Sequence, residues 1–361
     1  MTDHEPFQRE PQNPQDPQVV VFSPELLKLA DRRRQALEDC RQAAEDGDAN
    51  AVVQMGMNCL YGIGGAAKDP EKAFRWFSQT APDDPAGLYW LGVCYDNGFG
   101  VERDEDRACR LYQESAAGDY APALCNLGVC YESGQGVEKN LEKAVELYRR
   151  AAEGGYPRAW HFLGLSYDQG TGVEQNAQEA FRCFLAAAQG DYTEALCQTG
   201  MCYYFGHGAE KDYDRAAEYF RRGAEREHPR AMTRLGVCYE TGHGVEQDVQ
   251  RAEDLYRRAM ALGELEGQYC LAGLLRRRKD PESHREAARL LQKPAAVGMP
   301  RAQYLLGVCY ETGDGVEKKP RYAAYMYHRA ALQGHPEAML RLGICYETGV
   351  GTEKDPAVAA T

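Results

Sequence analysis

LGVCYESGQGVEKNLEKAVELYRRAAEGGYPRAWHF, residues Leu127 to Phe162, decides the fold. Shifted by 36 residues in either direction, the stretch lands on a copy of itself. Its Leu127-Gly128 anchor recurs as Met55-Gly56, Leu91-Gly92, Leu163-Gly164, Thr199-Gly200 and Leu235-Gly236. It then continues as Leu271-Ala272 and, one residue early, as Leu306-Gly307 and Leu342-Gly343. Self-similarity at a fixed period of this size marks an array of stacked repeats.

Within the Leu127 copy, Ala123, Leu127 and Tyr131 fall at i, i+4 and i+8, one stripe of an α-helix running from about Tyr120 to Ser133 (helix A). Gly134-Gln135-Gly136 breaks that helix, because paired glycines accept backbone angles other residues resist. Asn140 suits an N-cap and Glu142 suits the positive first turn of a second helix (helix B). Helix B carries Ala144, Tyr148 and Ala151 on one stripe and ends at Gly154-Gly155, just before Pro157. An alanine or glycine precedes the anchor by four residues in every copy, so helices can approach closely, with a helix B Tyr or Phe filling the remaining space. One such hairpin cannot bury its stripe alone, whereas stacked neighbours can. The expected fold is all-α: a right-handed α-solenoid of stacked two-helix repeats with a 36-residue period.

The L-G-x-C-Y-E-x-G-x-G-V-E-x-D block followed by A-x-x-x-Y-x-x-A-A resembles the Sel-one-like repeat (SLR) family, relatives of tetratricopeptide repeats with a longer inter-helix loop. The resemblance spans roughly Asp31 to Asp355. It implies a scaffold for protein partners, with helix A lining a concave groove and the residues two and five after the anchor pointing into it. Fold is strongly specified by such repeats and biochemical role only weakly.

The remaining composition bounds the function. A net charge of −13 argues against general nucleic-acid binding, which rests on neutralising phosphates. No apolar run is long enough for a bilayer and Met1-Thr2-Asp3-His4 opens no signal-peptide pattern, so a cytoplasmic protein is the simplest reading. Six of the thirteen cysteines (Cys94, Cys130, Cys202, Cys238, Cys309, Cys345) share one repeat position beside the buried stripe. Equivalent helices stand ~10 Å apart, too far for a disulfide, so these read as small buried apolar residues. The B-to-A junction Ala151-Ala152-Glu153-Gly154-Gly155 also lacks the paired cysteines of secreted members of the family. Residues 1–22, rich in Pro and Gln, are expected to be a disordered tail; residues 23–46, opened by Ser23-Pro24-Glu25, a capping helix; and residues 47–361 the solenoid of about eight and a half repeats.

Three departures from the pattern stand out. The seventh copy replaces its loop glycines with Arg276-Arg277-Arg278-Lys279 and holds Pro294 inside helix B, which predicts either a tolerated degenerate repeat or a kink costing ~3 kcal/mol with a local anion-contacting patch. The fifth copy ends helix A with Tyr204-Phe205, an aromatic pair that is either packed or a hot spot for a partner. The last copy completes helix A and reaches Pro356 without room for a full helix B, an uncapped edge expected to fray, to be covered by another chain or a second copy, or to continue in a longer native protein.

No catalytic constellation emerges. His207 and His243, both in Gly-His-Gly loops, read as solvated rather than metal-binding, the Gly-x-Gly has no phosphate-loop lysine, and no cofactor or metal is expected. His161, between Trp160 and Phe162, reads as a packed helix residue rather than a general base and is grouped with the groove side. Five residues after the anchor stand Asp96, Glu132, Asp168, Tyr204, Glu240, Arg276, Glu311 and Glu347, six of the eight acidic and all in a helix's last turn, where negative charge opposes the dipole. They pair either with helix B arginines such as Arg149, Arg221 or Arg257, or with a basic or extended protein segment in the groove. These positions, with His161 and Phe205, form the expected partner-binding set. The competing expectation is an enzyme or small-molecule binder in the groove, for which some secreted relatives linked to β-lactam binding are the analogy; no Ser-x-x-Lys is present.

Overall fold

The computed structural model describes residues 24–80 and 82–359; the Pro/Gln-rich tail and the Ser23 cap lie outside them. Nineteen helices and no strand occur among the described residues. The chain divides into two compact units, Met1–Ala123 with Gln135–Val137, and Leu124–Gly134 with Glu138–Thr361.

The first unit contains α1 (Pro24–Glu45), α2 (Ala49–Tyr61), α3 (Pro70–Phe77), α4 (Pro85–Asn97) and α5 (Glu105–Ala117). Its hairpins are α2 with α3 and α4 with α5, and α1 packs on α2. Phe77 and Tyr112, from α3 and α5, are fully buried at their centres.

Helix α6 (Ala121–Ser133) precedes α7 (Leu141–Glu153). The second unit continues through five further hairpins: α8 (Pro157–Gln169) with α9 (Ala177–Gln189), α10 (Thr193–Phe205) with α11 (Tyr213–Glu225), α12 (Pro229–Thr241) with α13 (Val249–Ala261), α14 (Leu265–Arg276) with α15 (Pro281–Val297), and α16 (Pro300–Thr312) with α17 (Pro320–Ala331). It ends in α18 (Pro336–Thr348) and the single turn α19 (Pro356–Ala359).

Local chemistry explains the regularity. Asn140 and its counterparts Asn176, Asp212 and Asp248 each take a backbone N–H of the first turn of helix B on the side chain. The backbone N–H of each of these caps donates to a helix A tyrosine carbonyl (Tyr131, Tyr167, Tyr203, Tyr239), which fixes the loop length. The glycine after the anchor lets helix B close in. A Cβ at Gly128 would lie 2.5 Å from the Tyr148 ring, so the aromatic ring occupies the volume the missing side chain leaves. None of the thirteen cysteines is in a disulfide and all but Cys40 and Cys270 are buried; burial pushes the Cys125 thiol up to about 12.

The seventh repeat tolerates its proline within helix B. Helix α15 runs through Pro294. The Leu290 carbonyl, which loses its i+4 donor to the proline, accepts instead from Gln268 Nε2 at 2.7 Å. The arginines offered for an anion-contacting patch have carboxylate partners within the chain. Arg276 pairs with Asp314 at 3.1 Å, Arg277 with Glu240 and Arg278 with Glu253, so the three guanidiniums are neutralised by carboxylates of their own unit.

Candidate functional site

The A helices carry the candidate site in their last turns, and the partners found there differ from those expected. Asp96 accepts a hydrogen bond from Tyr112 Oη at 3.3 Å within the first unit. In the second unit Glu132 accepts from Tyr148 at 2.5 Å, Glu240 from Tyr256 at 2.7 Å and Glu311 from Tyr327 at 2.7 Å. Each tyrosine is the fully buried ring of the following helix B, sixteen residues on. A buried phenol without an acceptor is costly, and the last turn of helix A is where the acceptor can stand. Burial and Glu132 push the Tyr148 phenol well above its usual range, so it remains the donor.

The helix B arginines expected for these acids go elsewhere, while Glu240 and Glu311 meet arginines of the next repeat, Arg277 and, at 3.5 Å, Arg341. Arg149 donates to Tyr167 Oη, Arg221 pairs with Glu218, and Arg257 pairs with Glu253 and Glu286. Arg149 thus reaches the next helix A, whereas Arg221 and Arg257 find carboxylates on their own or the next helix B.

Two repeats of the second unit carry phenylalanine in place of the tyrosine (Phe184, Phe220), and their last turns behave differently. Asp168, with no phenol to serve, pairs with His207 of the next loop at 2.7 Å. Tyr204 sends its hydroxyl to Nδ1 of His243 at 2.9 Å, and the His243 ring stacks on Tyr213 with centroids 4.2 Å apart. The two loop histidines are thus engaged rather than simply solvated. Arg276 follows the same forward pattern: its partner Asp314 also contacts His284 at 2.5 Å. Glu347 is exposed.

The aromatic pair divides. Tyr204 is half-buried against Tyr213 and Phe220, while Phe205 is 61% exposed and meets Tyr204 edge-on at 5.0 Å. In the second unit the same register is otherwise held by Ser133, Gln169, Thr241, Arg277, Thr312 and Thr348. In the first unit it is Tyr61, which packs edge-on against Trp90, and Asn97.

His161 does not belong to an accessible face. It is 9% exposed, lies among Phe162, Phe184 and Tyr192, and its Nδ1 has no hydrogen-bond partner. Burial lowers its pKa to about 4, with Glu194 opposing the shift and Arg158 and Arg230 adding to it. Among the described residues no group of His, Cys, Asp or Glu is arranged to hold a metal ion, and no helix is long and apolar enough to cross a membrane.

Comparisons with known proteins agree with this geometry. A protective antigen present in uropathogenic Escherichia coli strains, displaying an SLR fold, is 28% identical with a TM-score of 0.57 over 92% of this chain and 81% of its own. A Sel1 repeat protein from Oxalobacter formigenes, 24% identical, superposes with a TM-score of 0.56 over 86% and 91% of the two chains. The DAP3-binding cell death enhancer 1 of Rattus norvegicus is 33% identical over 96 residues, 25% of this chain and 18% of that relative. The Sel1 repeat pattern itself matches residues 49–81, 85–120, 121–156, 157–192, 193–228, 229–264, 300–335 and 336–360, passing over the proline-bearing seventh repeat. With well over half of its length matched repeat by repeat, the chain belongs to the Sel1 repeat family.

Proposed function

We propose that the chain is a non-enzymatic protein–protein interaction scaffold whose second unit takes a partner segment on the last turns of its A helices, anchored at Phe205. Sel1 repeats serve protein–protein interaction as a family and are typically non-enzymatic. The observation that carries the anchor is the exposed Phe205 ring, backed by Tyr204, at a register polar in every other repeat of that unit. A rigid aromatic on a packed support is the commonest kind of hot spot.

The acidic character of the face is narrower than the sequence implied. Glu132, Glu240 and Glu311 already accept from buried phenols, which leaves Asp168 as the carboxylate nearest in register to Phe205. The partner that fits is an extended, mildly basic segment with an apolar residue for Phe205. The net charge of −13 speaks for a basic partner and against nucleic acid. A reducing compartment such as the cytoplasm suits thirteen cysteines with no disulfide among them.

The test is a partner isolated on the intact chain and titrated against variants. Phe205→Ala should weaken binding by ~2 kcal/mol or more, and Asp168→Lys should slow association at low salt. Binding indifferent to both changes, and to ionic strength, overturns the assignment.

A further inference from the structure

Two residues before its buried ring, or before Leu291 in α15, each helix B turns a side chain outward. In seven of them, from Arg75 in α3 to Arg289 in α15, that residue is charged and exposed. Helix α17 carries Tyr325 there, 54% exposed, and Tyr322 three residues earlier, 57% exposed. In α5, α7, α11 and α13 the place of Tyr322 belongs to a cation lying over a helix A tyrosine, as Arg251 lies 5.6 Å from the centre of the Tyr239 ring. Tyr322 covers Tyr310 in the same way, with centroids 5.6 Å apart, which accounts for one face of its ring. Tyr325 makes no ring–ring contact among the described residues and carries the Arg329 guanidinium at 6.0 Å. The exposure belongs to the register: Arg251 and Glu218, at the same two places in the middle of the array, have side chains 66% and 56% exposed.

The charge around this pair is of one sign. Among the B helices longer than a single turn, α17 alone contains no aspartate or glutamate. Its Arg321 is exposed and has no hydrogen bond or ion pair among the described residues, and the same holds for Arg289 and Lys293 on α15. Arg329 donates to the Ala296 carbonyl of α15 at 3.4 Å, so the Tyr325 ring beside it borders the furrow between the two helices. The corresponding furrow between α11 and α13 is a cleft of about 470 Å³ whose lining includes Arg221, Tyr239, Arg251 and Asp254. There Arg221 pairs with Glu218 and Arg251 with Asp248. Between α15 and α17 the place of Asp254 is taken by Tyr325, and the flanking cations meet no carboxylate.

We propose that the furrow between α15 and α17 binds an acidic, extended segment of a partner protein. The partner's carboxylates meet Arg289, Lys293 and Arg321, charged donors with no internal competitor, and Tyr322 and Tyr325 supply flat apolar area with a hydroxyl at its rim. Elsewhere the same furrow neutralises its own charge, so one local site results rather than a continuous track. That feature favours a protein segment over a nucleic acid. A long polyanion needs cations along its whole length, whereas this patch is confined to two helices of a chain with a net charge of −13. The surface lies on B helices and is opposite in sign to the one proposed around Phe205, so the two stand or fall independently.

The probe is a short fluorescein-labelled peptide of alternating glutamate and glycine, added to the full-length chain and followed by anisotropy, with the lysine–glycine peptide as its control. Saturable binding of the glutamate peptide is expected, weakening as salt rises. Arg289→Glu combined with Arg321→Glu should weaken it about tenfold or more, and Tyr325→Ser about threefold to tenfold. Arg215→Glu combined with Arg251→Glu makes the same change in net charge on α11 and α13 and should weaken it less than about twofold. Circular dichroism of each variant confirms that the helices are intact. Absence of saturable binding at millimolar peptide, equal binding of the lysine peptide, or equal losses from the two charge reversals overturns the proposal. So does tighter binding of an oligothymidylate through the same residues, since a nucleic acid would then own the furrow.

Discussion

The hairpins α6–α7 and α10–α11 have the same length, the same loop glycines and the same glycine notch, yet they use the last turn of helix A in opposite ways. In the first, Tyr148 fills the notch and its hydroxyl reaches back to Glu132. In the second, Phe220 fills the same space without a polar atom, and the acid is replaced by Tyr204, which reaches forward to His243, and by an exposed Phe205. The recurrent carboxylate is thus tied to a phenol, and the position becomes free for other work only where the phenol is gone. A repeated acidic residue on a repeat protein need not advertise a basic partner; the informative positions are those where the internal bond is absent.

That contrast can be broken at its root. Gly128→Ala places a methyl against the Tyr148 ring, a clash with no flexible neighbour to yield, and should cost ~3 kcal/mol of stability in thermal or denaturant unfolding. The identical change at Gly343, where the space is open, should be neutral or add up to ~1 kcal/mol through helix propensity. Equal effects at the two sites would show that the notch, and not the helix, had been misjudged.

A double-mutant cycle between Glu132→Gln and Tyr148→Phe sharpens the same comparison. The coupling should be ~2 kcal/mol for a buried, charge-assisted bond. Asp168→Asn with Phe184→Leu should show none, because that carboxylate is paired elsewhere.

The third prediction concerns His161, between the two hairpins. Its folded pKa of about 4 lies below the ordinary histidine value, so protons bind the unfolded chain preferentially as pH falls from about 6.5 towards 4. Stability should be full above that window and fall by ~1 kcal/mol between pH 7 and 5.5 on account of this residue alone. His161→Phe should flatten that part of the curve; an unchanged slope would mean that the ring is reached by water.

The smallest stability effect is expected at Phe205. Phe205→Ala should shift unfolding by less than ~0.5 kcal/mol, as for an exposed substitution, while removing the partner anchor. A melting temperature several degrees lower would instead make Phe205 part of the packing.

Much of this was legible in the sequence. Periodicity, hairpin loops, caps such as Asn140 and the buried cysteines are set by interactions within a few residues, and short-range chemistry is written where it acts. The Glu132–Tyr148 bond was also present in the text, as a sixteen-residue spacing kept at Asp96–Tyr112, Glu240–Tyr256 and Glu311–Tyr327. Helix B arginines or a basic partner were offered for the acids because ion pairs are the usual expectation for carboxylates; the recurrent partner is a phenol whose burial needs an acceptor, with Arg277 and Arg341 added at Glu240 and Glu311. The seventh repeat was harder. Its arginines find partners 37, 25 and 38 residues away, at Glu240, Glu253 and Asp314, and Gln268 serves a carbonyl 22 residues on. No local pattern encodes such pairs, so a cluster of basic residues looked like a patch and a proline like a break.

The second loop glycine of the regular repeats has a consequence for how such a chain can change. At Gly172, φ is +71° and a side chain would collide with the backbone carbonyl of Leu141, in the first turn of the preceding helix B; Gly208 and Gly244 stand in the same relation to Ala177 and Tyr213. Main chain here is laid directly on main chain, so the joint depends on spacing and hardly at all on side-chain identity. A whole 36-residue module can then be duplicated or lost with every surviving joint unchanged, whereas gain or loss of one residue in a loop would displace the glycine from the carbonyl it must clear. Length in this array is inherited in modules, and the surface residues between the joints are free to diversify from one copy to the next.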